Sequence, residues 1–247
     1  MKRKKTYAFT LIELFVVMAL MAIIVGIAIP SMSGTTRQVT LACTEISGQI
    51  ELARAYAVTH NCYTAVIFPQ RDELANSISK KLTGEKTQKL ASLAPYFNAS
   101  CRTAIVVKDA KRDDKYHFVM WVPDSSWKVL SRGAVIAPVD KDESRKIPTF
   151  GITVDNIPLG SLLRVAEGNV IEENSLSHSI ARCIVFSRGG QLESGDNQSM
   201  NNQSMNIFLR PGSYNPATQQ FTPFSTNTRY SILSINPRSG RTTVTYR

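Results

Sequence analysis

FTLIELFVVMALMAIIVGIAIP, residues 9–30, follows the basic octapeptide MKRKKTYA and decides how the rest of the chain is read. From Phe9 to Ile29 it runs 21 residues with a single charge, Glu13. As a helix this is ~32 Å long at ~1.5 Å per residue, enough to cross a hydrocarbon core of ~30 Å. Apolar residues run all the way round it, unlike the one-sided stripe of a surface helix. Lys2, Arg3, Lys4 and Lys5 stand immediately before it. That asymmetry predicts a cytoplasmic N-terminus, with everything after the span outside the cytoplasmic membrane. Two simpler readings compete. A cleaved secretory signal has a shorter apolar core and a small-residue cleavage site, which Ile27-Ala28-Ile29-Pro30 does not supply. A plain signal anchor leaves Glu13 unexplained, because an ionisable group in an apolar span costs ~2.5–3.5 kcal/mol at its centre and usually marks function.

The segment Lys5–Glu13, KTYA-FTLIE, resembles the cleavage and methylation motif of type IV pilins and type II secretion pseudopilins. The resemblance implies that a membrane prepilin peptidase cuts between Ala8 and Phe9 and methylates the new Phe9 amine. Glu13 then becomes the fifth mature residue, the charge used in assembly, and Pro30 falls at mature position 22, where the family bends or loosens its helix. Ala8 departs from the usual glycine of the family. The chemistry of Glu13 also stands without the family. A cut before Phe9 creates a positive amine one helical turn from the carboxylate. In a filament of parallel helices, Glu13 of one subunit meets the Phe9 amine of a neighbour, and breaking such a buried pair costs ~3–5 kcal/mol.

Beyond the span, Gly26, Pro30 and Gly34 weaken helix propensity locally. From Thr35 to His60, Val39, Ala42, Ile46, Ile50, Ala53 and Ala57 recur at three and four residues, with Arg37, Glu45, Gln49, Glu51 and Arg54 on the other faces. This predicts the soluble, amphipathic second half of one long helix, packed on a globular domain. The segmentation expected is a leader over 1–8, a transmembrane or filament-core helix over 9–32, the amphipathic half over 33–61 and a β-rich domain over 62–247. Strands are expected at Cys62–Phe68, Thr103–Lys108, Tyr116–Val122, Trp127–Leu130, Arg182–Ser187, Asn206–Leu209, Tyr230–Asn236 and Thr242–Tyr246. A helical insertion near 71–94 and a mobile polar loop over 195–206, containing the repeat NQSMNNQSMN, interrupt them. Phe150–Val165 reads equally as strand or short helix. Trp121 and Trp127 read as sheet-packing aromatics before a binding face.

Two further stretches resemble H-type minor pseudopilins. One is the junction LARAYAVTHNCYTAVIF at 52–68, with its Ala53-Arg54 pair. The other is the tail, in which Ile184, Phe186 and Gly189 precede a variable loop and a last hairpin turning at Gly240-Arg241. The resemblance implies an α+β pilin-like fold, a long N-terminal helix packed on an antiparallel sheet, and membership of a filament. Its partners would be other pilin or pseudopilin subunits, prepilin peptidase and an inner-membrane assembly platform. The domain would be periplasmic, joining a pilus or a type II secretion pseudopilus as an initiating or tip subunit.

The net charge is +10, of which the leader carries 4, leaving +6 after cleavage. Such a balance bears on partners rather than on fold. Arg229, Arg238, Arg241 and Arg247 crowd the last hairpin, with Arg182, Arg188 and Arg210 upstream. They support an alternative, a DNA-binding minor pilin used in DNA uptake, against which stands an ordinary solvent face. Cys43, Cys62, Cys101 and Cys183 have no metal-pair spacing. Cys62 and Cys101 both open candidate strands and form the first choice for a disulfide, with free buried thiols the other reading. Cys43 and Cys62, ~28 Å apart on an unbroken helix, are rejected as a pair. His60, His117 and His178 are scattered, and no HExxH, GxSxG or phosphate-loop pattern occurs. Asp113-Asp114 and Asp140, Asp142 and Glu143 lack a calcium-loop spacing. The chain reads as a substrate of processing chemistry, with no catalytic residues, no metal site and no cofactor.

Overall fold

The computed structural model describes residues 12, 15–18, 34–69, 93, 96–97, 99–109, 111, 115–130, 133–136, 152–162, 179–193, 205–215, 220–223 and 230–246. Gly34–His60 forms helix α1. Its inward stripe is the expected one, since Val39, Ala42, Ile46, Ile50, Ala53 and Ala57 are all at most 4% exposed. Gln49 departs from expectation. It is buried, and its side-chain oxygen accepts the Thr103 hydroxyl at 2.9 Å. The helix stops at Asn61, whose φ of 51° is left-handed, a conformation asparagine tolerates better than most side chains. The Cys62 N–H then donates back to the Ala57 carbonyl at 3.2 Å, closing the last turn.

Strands β1 (Tyr63–Phe68), β2 (Ser100–Lys108), β3 (Lys115–Trp121), β4 (Lys128–Val129), β5 (Ala134–Ile136), β6 (Ile152–Ile157), β7 (Ser179–Phe186), β8 (Met205–Asn215), β9 (Gln220–Pro223), β10 (Ser231–Ile235) and β11 (Thr242–Tyr246) follow. They do not form one antiparallel sheet. Strand β1 pairs with both β2 and β7, β7 with β6, β6 with β3, and β3 with β2, so the ring closes into a small barrel. The β3–β6 pairing is parallel, which corrects the purely antiparallel expectation. Within the α+β class the architecture is therefore mixed.

The two-residue period of the strands divides the apolar residues between two cores. Ala65 and Ile67 of β1, Ala104 and Val106 of β2, Tyr116 and Trp121 of β3, and Cys183 and Val185 of β7 belong to the barrel core, which Trp127 and Leu162 also enter. Both tryptophans are thus core aromatics. The alternate residues Val66 and Phe68, Cys101, and Ile184 and Phe186 face outward onto α1. A second sheet, ordered β11-β10-β8-β5, supplies Ile136, Ile207, Leu209, Leu233 and Ile235 to this second core. Helix α1 thus lies in the notch between barrel and sheet. The stretch left open at 150–165 contains both answers, β6 and then a helical turn at 160–162. Strands β5 and β9 were not expected.

Residues 15–18 are helical, and Phe15 and Met18 are 71% and 66% exposed. Among the described residues no helix is long and apolar enough to cross a membrane. Ala8, Phe9, Glu13 and Pro30 lie outside the described residues, as do most of the span at 9–32, residues 71–92 and the loop at 195–204.

Candidate functional site

Three features of the described domain carry information about function, and all involve α1. The first is its outward face. Arg37, Leu41, Thr44, Gly48, Leu52, Ala55 and Thr59 are exposed and recur every three or four residues opposite the buried stripe. Between Arg37 and Thr59 this line bears no charge, although it faces solvent in the single chain. Leu41 is 47% and Leu52 38% exposed. Gly48 stands at its centre. Glycine inside a helix costs ~1 kcal/mol relative to alanine, yet a methyl group on Gly48 would meet no described atom within 4 Å. Among the described residues nothing requires that glycine.

The second feature is the C-terminal end of α1. Arg54 lies against two glycine turns. Gly190 follows β7 with φ +76°, and a Cβ there would fall 2.7 Å from Val58 and 3.4 Å from Arg54. Gly240, in the β10–β11 turn with φ +64°, would place a Cβ 2.7 Å from both Arg54 Cδ and the Gly190 carbonyl oxygen. Both positions combine a left-handed backbone with a close approach, so only glycine fits them. Gly189, the glycine marked by sequence, meets nothing within 4 Å. The contact belongs to its neighbour. Arg54 Nη1 lies 3.5 Å from Glu51, while its Nε is buried with no hydrogen-bond partner among the described residues. The two turns are also tied directly, by the Leu192 N–H donating to the Pro237 carbonyl at 2.9 Å.

The third feature is a set of arginines at this end. The turn at 187–190 carries Arg188, whose guanidinium lies 5.3 Å over the Tyr63 ring. The adjoining hairpin carries Arg238 and Arg241, both exposed. The structure thus brings Arg188 to the same end of the domain as Arg238 and Arg241. Arg210 is elsewhere, over Tyr230 at 5.4 Å. Arg229 and Arg247 lie outside the described residues, and nothing is described of the Arg182 side chain.

The disulfide expected between Cys62 and Cys101 is not formed. None of the four cysteines is in a disulfide. The register explains it, because Ile67 pairs with Arg102 and so puts Cys101 opposite Phe68. Cys62 precedes the other end of β1, about 20 Å away at ~3.3 Å per residue, where a disulfide needs Cα atoms within ~7 Å. Two cysteines that both open strands are at opposite ends once those strands pair antiparallel. Burial first, and the Glu45 carboxylate second, push the Cys101 thiol up to about 12, with Lys128 pulling the other way. Burial also raises Cys62, offset in part by Arg188. His60 stacks on Tyr56 with ring centroids 3.8 Å apart, and His117 meets Asp109 at 3.4 Å. Among the described residues no three His, Cys, Asp or Glu side chains form a metal-binding group. Asp113, Asp114, Asp140, Asp142, Glu143 and the His178 side chain lie outside the description.

A family model described as the prokaryotic N-terminal methylation motif matches residues 3–29. The matched segment contains the basic residues, the Ala8–Phe9 junction, Glu13 and the apolar run to Ile29. Neither the curated proteins nor the solved structures yield a match to the chain. The motif indicates a type IV pilin-like precursor, a membrane-anchored substrate of prepilin peptidase that assembles with other pilin subunits.

Proposed function

We propose that this protein is a structural subunit of a type IV pilus-like or type II secretion pseudopilus filament, with a minor, initiating or tip role. The methylation motif at residues 3–29 carries the reading. The charge-free outward face of α1 supports it, because that face continues in sequence from the apolar span and a helix partner would cover both. In this reading the peptidase cuts between Ala8 and Phe9, and the Phe9 amine is methylated. Glu13 pairs with that amine on a neighbouring subunit. Pro30 relieves the helix where it leaves the membrane. The N-terminus is cytoplasmic before cleavage, the domain is periplasmic, and an inner-membrane platform extracts the processed subunit. The closeness to H-type minor pseudopilins rests on Ala53-Arg54, on Ile184, Phe186 and Gly189, and on Gly240-Arg241, and the turns that follow Phe186 and hold Gly240 both lie against Arg54. Mass spectrometry of the protein from its native host tests the reading. The expected species begins at residue 9 with a methylated amine and is recovered in sheared filaments. An unprocessed chain beginning at Met1 and absent from filaments overturns it.

A second reading is favoured by one observation, the gathering of Arg188 with Arg238 and Arg241. In it the subunit is a minor pilin that captures DNA for uptake. Phosphate contacts give affinities that fall steeply with salt. Titrating double-stranded DNA into the detergent-solubilised chain at rising salt decides it. Absence of salt-sensitive binding at tens of micromolar protein removes the reading.

A further inference from the structure

The open side of β11 follows from its place in the second sheet. It ends the order β11-β10-β8-β5, and among the described residues nothing pairs with its far side. Its sequence, TTVTY, is entirely β-branched or aromatic, and its five-residue register against β10 is unbroken by any bulge. Natural sheet edges are normally guarded by lysine, proline, a bulge or a covering segment. None of these guards occurs within β11. Thr243–Tyr246 are exposed on both faces, with Val244 37% and Tyr246 58% exposed.

The hairpin geometry fixes which backbone groups are open. The Asn236 N–H donates to the Arg241 carbonyl at 2.9 Å, so 236 and 241 form a hydrogen-bonded pair. Such pairs alternate along an antiparallel ladder. Thr243 and Thr245 therefore spend their amides and carbonyls on β10, while Thr242, Val244 and Tyr246 turn theirs outward. Their side chains share the face of Leu233 and Ile235, the face that packs on α1. At one end the Ser47 hydroxyl meets the Thr242 hydroxyl at 2.6 Å, so α1 runs beside the open edge.

Charge narrows the occupant. Arg238 and Arg241 stand exposed at the hairpin end, and residue 247, directly after the strand, is a third arginine. Glu51, one turn beyond Ser47 on the same side of α1, is met by Arg54. A second copy of β11 and its turn, RSGRTTVTY, brings no acidic residue to meet Arg238 and Arg241 and would add like charge at the same edge.

We propose that β11 is a strand-addition site for an extended, acid-flanked segment of a different subunit. The incoming strand bonds to the outward amides of Val244 and Tyr246, and its acidic flank meets Arg238 and Arg241 at the hairpin end. This mode takes affinity from the main chain and choice of partner from the flanks. It needs no filament, so its failure and the failure of the filament reading are separable.

The test uses the full chain in detergent micelles. The probe is a short fluorescent peptide of alternating valine and threonine bracketed by two acidic residues at each end, with a lysine-bracketed peptide as control. Expected are binding of the acidic peptide, at least tenfold weaker binding of the control, and weakening with added salt. Amide exchange should show Val244 and Tyr246 open in the free chain and protected on peptide addition, with Thr243 and Thr245 protected throughout. Val244→Pro removes one outward donor without touching the β10 ladder and should cut affinity at least tenfold. Equal binding of both peptides, unchanged exchange at Val244 and Tyr246, or no binding overturns the proposal. So does a dimer of the chain alone that Val244→Pro dissociates, since the occupant is then a second copy. If Val244→Pro does not fold, the exchange pattern of the unaltered chain decides.

Discussion

Replacing Gly48 by alanine should raise the stability of the single chain and lower its incorporation into filaments. The two effects come from the same methyl group. Among the described residues the added Cβ meets nothing within 4 Å, so only the helix propensity changes. Alanine is favoured over glycine in a helix interior by ~1 kcal/mol, which in a chain of this size raises Tm by roughly 2–4 °C. Within a filament the outward line Leu41, Gly48, Leu52 and Ala55 is covered by another helix, and the methyl enters a packed contact. Overpacking costs about 1–3 kcal/mol, a loss of roughly 5–150-fold in subunit incorporation. The assays are thermal unfolding of the detergent-solubilised chain by circular dichroism and the fraction of subunit recovered in sheared filaments. A lowered Tm would show that the helix face is covered within the chain. Unchanged incorporation beside a raised Tm would refute the close approach at Gly48.

Four further outcomes follow from the same contacts. Gly240→Ala combines a left-handed backbone with a 2.7 Å approach to a carbonyl oxygen and should cost about 2–4 kcal/mol by urea denaturation, whereas Gly189→Ala should be near neutral. Glu13→Ala should leave the melting of the domain unchanged while excluding the subunit from filaments, measured in mixed expression with wild type. The Cys101 thiol, ordinarily ionising at 9.0 and raised to about 12 by burial, favours the folded state fully below pH 9 and loses that contribution as pH climbs toward 12. Cys101→Ala should therefore flatten the fall in urea midpoint between pH 9 and 11, and an identical slope would count against the burial argument. Gln49→Ala should cost about 1 kcal/mol by urea denaturation, because the buried Thr103 hydroxyl loses its 2.9 Å acceptor and keeps only the longer bond to the Gln49 carbonyl at 3.4 Å.

The sequence made the helix and most strands legible because each signal was local. The α1 stripe needed only a period, and Cys62–Phe68 only a β-branched run after an asparagine stop. The barrel was illegible for a different reason. Nothing in the order of the strands says that β1 pairs with both β2 and β7, or that β6 lies parallel to β3, a choice fixed by contacts between residues far apart in the chain. Strand β5 is only three residues long, so its period could not be read. That Cys62 and Cys101 do not pair has the same origin. Position at the start of a strand is local information, whereas the distance between two starts depends on the direction of pairing.

The site shows where local signal and tertiary contact join. Ala53-Arg54, Gly189 and Gly240-Arg241 stand far apart in the sequence, and nothing in their spacing says that they come together in space. The structure supplies the connection, since Arg54 leaves no space for a side chain at Gly240 and also lies against Gly190, where Val58 closes the space. A glycine pair in sequence does not reveal which member is constrained, and only the packed neighbour assigns the constraint to Gly190 and frees Gly189. Because the turn holding Arg188 and the hairpin holding Arg238 and Arg241 both rest on Arg54, one helix side chain fixes where the basic groups stand. The same contact sets the starting point of β11. An Arg54→Ala chain should then lose the basic cluster and the open strand edge together, while Arg238→Ala with Arg241→Ala should remove charge and leave the exchange pattern of β11 intact. If Arg54→Ala left the amides of Thr243 and Thr245 fully protected, the arginine would not be what holds the hairpin to the helix.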